Sequence, residues 1–175
     1  MNAVDFLKAH HRQVERTFAR LEIASHEQTD GLFERLADSL ATHAQLEQRL
    51  CSAVAIRIGD DALTEQQGSY SGIARVVAEL LQGQTRDETF AARMTILREL
   101  VRRHIRRDEA ELFLWAKQLL SDGELEALGH DMEGELIRLY ARGIPRRFFE
   151  NQAALLVQER DDEGRSEGQR ARALH

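Results

Sequence analysis

The sequence predicts an all-α protein: an antiparallel up-and-down four-helix bundle with additional C-terminal helices. Three observations carry that expectation. The chain has a single proline, Pro145, and is rich in Ala, Leu, Glu, Gln and Arg, which lose little on entering a helix. Its apolar residues recur in steps of three and four over long stretches, the spacing of one helix face. Short polar turns separate these stretches, so successive helices can fold back on one another. At 175 residues the chain can bury a core without disulfide staples.

The first helix is expected from Val4 to Ile23, on the stripe Val4, Leu7, His11, Val14, Phe18, Leu21. Ser25 to Gly31 reads as a polar connection, with Asp30 capping a second helix that continues to Ile58. Gly59 and the aspartates after it end that helix. Thr64 to Ser71 suits a loop or a frayed helix start, after which Tyr70, Ile73, Val77 and Leu80 restore the period. Gly83 to Asp87 forms the next turn, where Thr85 or Asp87 can cap the fourth helix. That helix carries one stripe, Met94, Leu97, Val101, His104, Asp108, Leu112, Trp115, Leu119. Ser121, Asp122 and Gly123 open a fifth helix ending near Tyr140, so residues 1–143 make up the bundle and its fifth helix. A short helix over 144–158 holds Phe148, Phe149, Leu155 and Leu156. It must bury its apolar side on its own chain or on a second copy, which leaves a homodimer open. Residues 159–175 are charged and read as a mobile tail.

Composition narrows the function. A formal net charge of -6 gives no support for nucleic acid as the main partner. The run Arg98, Arg102, Arg103, Arg106, Arg107 reads as a solvated face paired with nearby acids. The one cysteine, Cys51, excludes an intramolecular disulfide, fits a reducing compartment and reads as a small core residue. No long apolar run opens the chain or interrupts it, so neither a signal peptide nor a membrane span is expected, and the cytoplasm is the expected location.

The informative residues are those that break the apolar stripes. On the second helix the stripe Leu36, Leu40, His43, Glu47, Leu50, Val54 places an imidazole and a carboxylate where the pattern demands core. The fourth helix repeats the device with His104 and Asp108, the first helix contributes His11, and the third Tyr70. Burying an unpaired charge is so costly that such groups are paired or bind a metal. All six carry donor atoms, and imidazole with carboxylate suits iron, zinc or manganese. A Tyr70 phenolate would favour ferric iron; a buried neutral Tyr70 would act as a hydrogen-bond donor. The competing reading is a metal-free network, for instance Glu47 with His104 and Tyr70 with Asp108. His10, His26, His130 and His175 lie off the stripes or in loops and read as solvated.

These residues resemble a family, the hemerythrin-like proteins with the HHE cation-binding domain. The likeness rests on Phe-Leu-Lys-Ala-His-His-Arg-Gln-Val-Glu near the start, His-Ala-Gln-Leu-Glu at 43–47 and His-Ile-Arg-Arg-Asp-Glu-Ala-Glu-Leu-Phe at 104–113. It implies a hemerythrin-like bundle with a non-heme di-iron centre held by His11, His43, Glu47 and His104, with Asp108 preferred to Glu109 as the second carboxylate. Tyr70 and Ala74 stand where oxygen-carrying members have histidines, so a five-histidine oxygen carrier is not expected. The resemblance implies a protein that binds or senses iron, oxygen or nitric oxide. Alternatives are a di-iron enzyme acting on peroxide or in iron-sulfur repair, and a degenerate metal-free interaction module.

Overall fold

The computed structural model describes residues 1–59, 64–83 and 88–142. Over them the chain forms α1 (Ala3–Glu22), α2 (His26–Ile58), α3 (Thr64–Gln82), α4 (Glu88–Arg107), a π-helical turn (Asp108–Leu112), α5 (Phe113–Leu119) and α6 (Asp122–Ala141), with no strand among the described residues. The expected caps at Thr85 and Asp87, the helix over 144–158 and the tail over 159–175 lie outside the described residues. No helix among the described residues is long and apolar enough to cross a membrane.

Local chemistry sets most of the boundaries. Asn2 caps α1 by accepting from the Asp5 N–H at 2.9 Å. The second helix starts five residues earlier than its first expected turn would allow: Ser25 is its N-cap, and the Gln28 side chain accepts from the Ser25 N–H at 3.3 Å. Residues 26–31, expected as a connection, are therefore helical, Asp30 lies inside the helix, and the cost of Gly31 there is offset by the cap. The stretch from Thr64, which suited a loop equally well, is helical as well. At α6 the capping box pairs Ser121 with Glu124.

α1 packs on α2 and α6, α3 on α4, and α2 also meets α5 and α6. Two apolar cores result. One joins Val4, Leu7, Leu46, Leu50, Val54, Leu112, Phe113 and Ala116 to Leu125 and Met132 of α6. The other joins Val14, Phe18, Leu36, Leu40, Ile73, Val77, Leu97 and Val101. Each fully buried Leu contributes roughly 1.5–3 kcal/mol to holding these layers closed. Along α1, α2 and α4 the polar residues fall between the two cores: His11 between Leu7 and Val14, His43 and Glu47 between Leu40 and Leu50, His104 and Asp108 between Val101 and Leu112.

The fourth stripe needs a correction after Leu112. The buried residues there are Phe113, Ala116 and Leu120, while the expected Trp115 and Leu119 are only partly buried. The π turn is the cause: its i→i+5 hydrogen bonding, with the Phe113 N–H donating to the Asp108 carbonyl, takes up more residues per turn than α geometry. The core-facing positions beyond it slip by one. The arginine face behaves as expected: Arg98 pairs with Glu22, Arg102 with Glu15 at 3.5 Å, and Arg107 with Glu111 at 3.3 Å. α6 is tied to α2 by Arg49 to Glu135 at 2.9 Å and Arg57 to Glu124 at 2.6 Å.

Candidate metal centre

Five of the six stripe-breaking residues meet in one buried layer: His11, His43, Glu47, His104 and Asp108 are all at most 4 % exposed. The His11 Nε2 lies 3.3 Å from the His43 Nε2 and 3.2 Å from the Asp108 Oδ2. The Glu47 Oε2 stands 3.3 Å from the His43 Nε2 and 3.0 Å from the His104 Nε2. The Asp108 Oδ2 completes the set, 3.3 Å from the His104 Nε2 and 3.8 Å from the His43 Nε2. Donor atoms of His43, Glu47, His104 and Asp108 all lie within 4.8 Å of one another.

The electrostatics follow from burial and pairing. Burial alone would push His43 down, but hydrogen bonds to Asp108 and Glu47, with both their charges, raise it to about 9. Burial likewise opposes the charged form of His104, and the Glu47 carboxylate outweighs it, so His104 is raised too. Glu47 would be raised by burial, yet the charge and hydrogen bond of His104, reinforced by His43, hold it well below the usual carboxylate range. In a metal-free protein, protons on imidazoles thus balance the buried carboxylates.

The donor set also fits a cation. Two imidazole Nε2 atoms face each other at 3.3 Å, where their lone pairs repel unless a proton or a metal ion lies between them. Three neutral imidazoles and two carboxylates are competent ligands for iron, manganese or zinc.

Tyr70 is arranged differently from the other five. Its hydroxyl donates to the Leu40 carbonyl oxygen, and its ring stands edge-on to the His104 ring with centroids 5.1 Å apart. Burial, then the charges of Glu47 and Asp108, push its pKa well above the ordinary value, which keeps it neutral in the metal-free protein. Of the two pairs expected for a metal-free network, Glu47 with His104 is present and Tyr70 with Asp108 is not. Ala74, one turn further along α3, is fully buried and offers a methyl group.

Two features escape the stripe reading. Glu109, expected only as an alternative to Asp108, sits at the outer edge of His11, its Oε1 3.3 Å from the His11 Nδ1, with its side chain 47 % exposed. Its signal was its place beside Asp108 in a sequence with two consecutive acids. His10, expected to be solvated, is buried, stacks on Phe6 at 5.1 Å and is lowered to about 4 by burial and then by His43 and His11. The reason is that its ring is also stacked toward His43 of α2, with centroids 6.3 Å apart, and Ala3, Phe6 and His10 form a second buried seam at helical spacing. His26 and His130 are exposed as expected, and His175 lies outside the described residues. Cys51 is buried with its Sγ 3.9 Å from the Glu47 Oε1. Burial, then Glu47 and Asp108, raise its pKa, so it remains a thiol.

The family model described as the hemerythrin HHE cation binding domain matches residues 2–116. The fold resembles the crystal structure of a hemerythrin HHE cation binding domain-containing protein from Mycobacterium kansasii, with a TM-score of 0.72 and 17 % identity, covering 87 % of this chain and 99 % of that one. No curated protein matches the sequence.

Proposed function

The chain belongs to the hemerythrin HHE cation-binding family, and from that premise we propose that its buried cluster binds non-heme iron and presents it to a small ligand such as dioxygen or nitric oxide. The role is binding or sensing, not reversible oxygen carriage. The observation that carries this reading is the convergence of three imidazoles and two carboxylates in a buried layer between two apolar cores. The mixed nitrogen and oxygen donors favour iron or manganese over metals selected by thiolates, and Cys51 is kept protonated by its surroundings. Bound iron would supply a Lewis-acidic, redox-active centre. The protein's part is to hold His11, His43, Glu47, His104 and Asp108 at fixed positions on three helices and to exclude bulk water with Leu7, Leu40, Val101 and Leu112. Tyr70 contributes a hydroxyl on the α3 side that is bonded to the Leu40 carbonyl. Ala74 in place of a donor argues against oxygen carriage.

The test is metal analysis of protein produced in iron-rich medium, followed by chelation. Stoichiometric iron whose removal lowers the unfolding midpoint is expected; no bound metal with unchanged stability overturns the reading. Anaerobic reduction followed by nitric oxide or oxygen then reads the role. A ligand-dependent visible band supports binding, whereas sustained peroxide turnover assigns the site to an enzyme.

A further inference from the structure

We propose that a cavity apart from the metal cluster is a second binding site, for an amphipathic carboxylate with an aliphatic body and one anionic head. The cavity lies between the last turn of α1, the first turn of α2 and the part of α4 from Phe90 to Arg102, with a volume of about 650 Å³. Sites for small organic molecules run to roughly 300–1,000 Å³. Its inner wall is apolar: Phe18 is buried in the second core, and Leu21, Phe90 and Met94 pack against that core only in part. The Phe90 ring stands edge-on to Phe33 with centroids 5.7 Å apart, so this wall is preformed. Phe18 follows His11 by two turns of α1, about 10 Å along the axis, which keeps the two sites apart.

The outer wall carries the charges, and their exposure is unequal. The Arg98 and Arg102 side chains are 24 % and 38 % exposed, whereas Glu22 and Glu99, which pair with them there, are 53 % and 61 % exposed. The guanidinium groups also have donors to spare. The Arg98 Nε is shut off from water and has no acceptor. Arg102 meets Glu15 at 3.5 Å and Glu99 at 3.7 Å, beyond the roughly 2.7–3.2 Å of an N–H···O hydrogen bond. Exposed acids can turn to water while the half-buried arginines stay, so the charge presented to a ligand is positive. A carboxylate matches the planar guanidinium fork. With Glu22 and Glu99 still close by, one negative charge suits the site better than the two of a phosphate ester.

Calorimetric titration of the full chain with decanoate, followed by the methyl signals of its methionines, tests the proposal. One equivalent should bind in the metal-free and the metal-loaded protein alike, and should move the Met94 signal more than those of Met1 and Met132. Decan-1-ol, with the same chain and no charge, should bind roughly tenfold more weakly, and Arg98→Gln should weaken decanoate to a similar extent. Ala91 is exposed on the rim, so Ala91→Phe should fill the cavity and abolish binding with the fold intact. Equal affinity for the alcohol would overturn the anionic head, and binding that survives Ala91→Phe would overturn the location. No saturable uptake removes the site and leaves metal binding standing. Should Arg98→Gln fail to fold, the comparison of acid with alcohol on the unaltered chain decides.

Discussion

Glu109 holds His11 from behind: its carboxylate meets the His11 Nδ1 at 3.3 Å, on the ring edge opposite the Nε2 that faces Asp108 at 3.2 Å. An acceptor at Nδ1 places the ring proton there and leaves the Nε2 lone pair free for a cation. Glu109→Ala should lower metal affinity by about 10–100-fold, the range for such supporting partners, with the fold intact because the side chain is half-exposed. A chelator-competition titration checks the affinity, and the nitrogen chemical shifts of His11 in the metal-free protein check the tautomer.

Glu47 is the shared acceptor of His43 and His104. Removing one partner of a buried charged network leaves the others uncompensated, so Glu47→Ala should destabilise the metal-free protein by roughly 3–5 kcal/mol and abolish metal uptake. Urea unfolding in chelator measures the first; an unchanged midpoint would show that the carboxylate is dispensable to the fold.

The stability of the metal-free protein should pass through a maximum near neutral pH. His43 is raised from 6.5 to about 9 in the folded state, so its contribution is complete below 6.5 and is lost as pH rises through about 9. His10 is lowered to about 4, so its neutral, buried form contributes above 6.5, and that contribution is lost as pH falls from 6.5 toward 4. Each limb should amount to on the order of a few kcal/mol. Urea midpoints in chelator across this range test the shape, and bound metal, which replaces the proton on His43, should flatten the alkaline limb.

Tyr70→Phe should leave the visible spectrum of the ferric protein unchanged, because the hydroxyl is neutral and bonded to the Leu40 carbonyl. The loss of that bond should cost about 0.5–1.5 kcal/mol. Disappearance of a charge-transfer band in the variant would instead make Tyr70 a ligand.

Gly129 on α6 is in close contact with the start of the chain: an added Cβ would run into the Met1 carbonyl oxygen and lie 2.9 Å from the Asn2 carbonyl carbon. Backbone cannot swing aside as a flexible side chain can, so Gly129→Ala should destabilise by roughly 1–3 kcal/mol through overpacking. Thermal unfolding of the variant is the check.

The stripes made the bundle and most of the site legible because period 3.6 and burial are local properties of a helix, and a polar residue at a core position stands out within it. His11, His43, Glu47, His104 and Asp108 were readable on those grounds. His10 was not, since it lies one residue beside the stripe and its burial depends on Phe6 and on the His43 ring of α2 closing over it. The role of Glu109 was hidden for a related reason: side-chain reach across the bundle is set by the backbone phase at the π turn. The early start of α2 was written in Ser25 and Gln28, and Asp30 with Gly31 masked it.

The π turn also bears on how this chain aligns with others. Relative to a uniform α-helix, Asp108–Leu112 behaves as a one-residue insertion: ligands before it and core residues after it obey different phases of the same rod. A relative whose helix runs straight through should therefore carry one residue fewer between the counterparts of Asp108 and Phe113. An alignment drawn without a gap there would pair every later residue of α5 with the wrong partner, setting Trp115 against a true core position in place of Ala116. In this chain the same slip marks where a single-residue deletion, at exposed Ala110 for instance, could be absorbed by regularising the helix while both of its working faces stay in place.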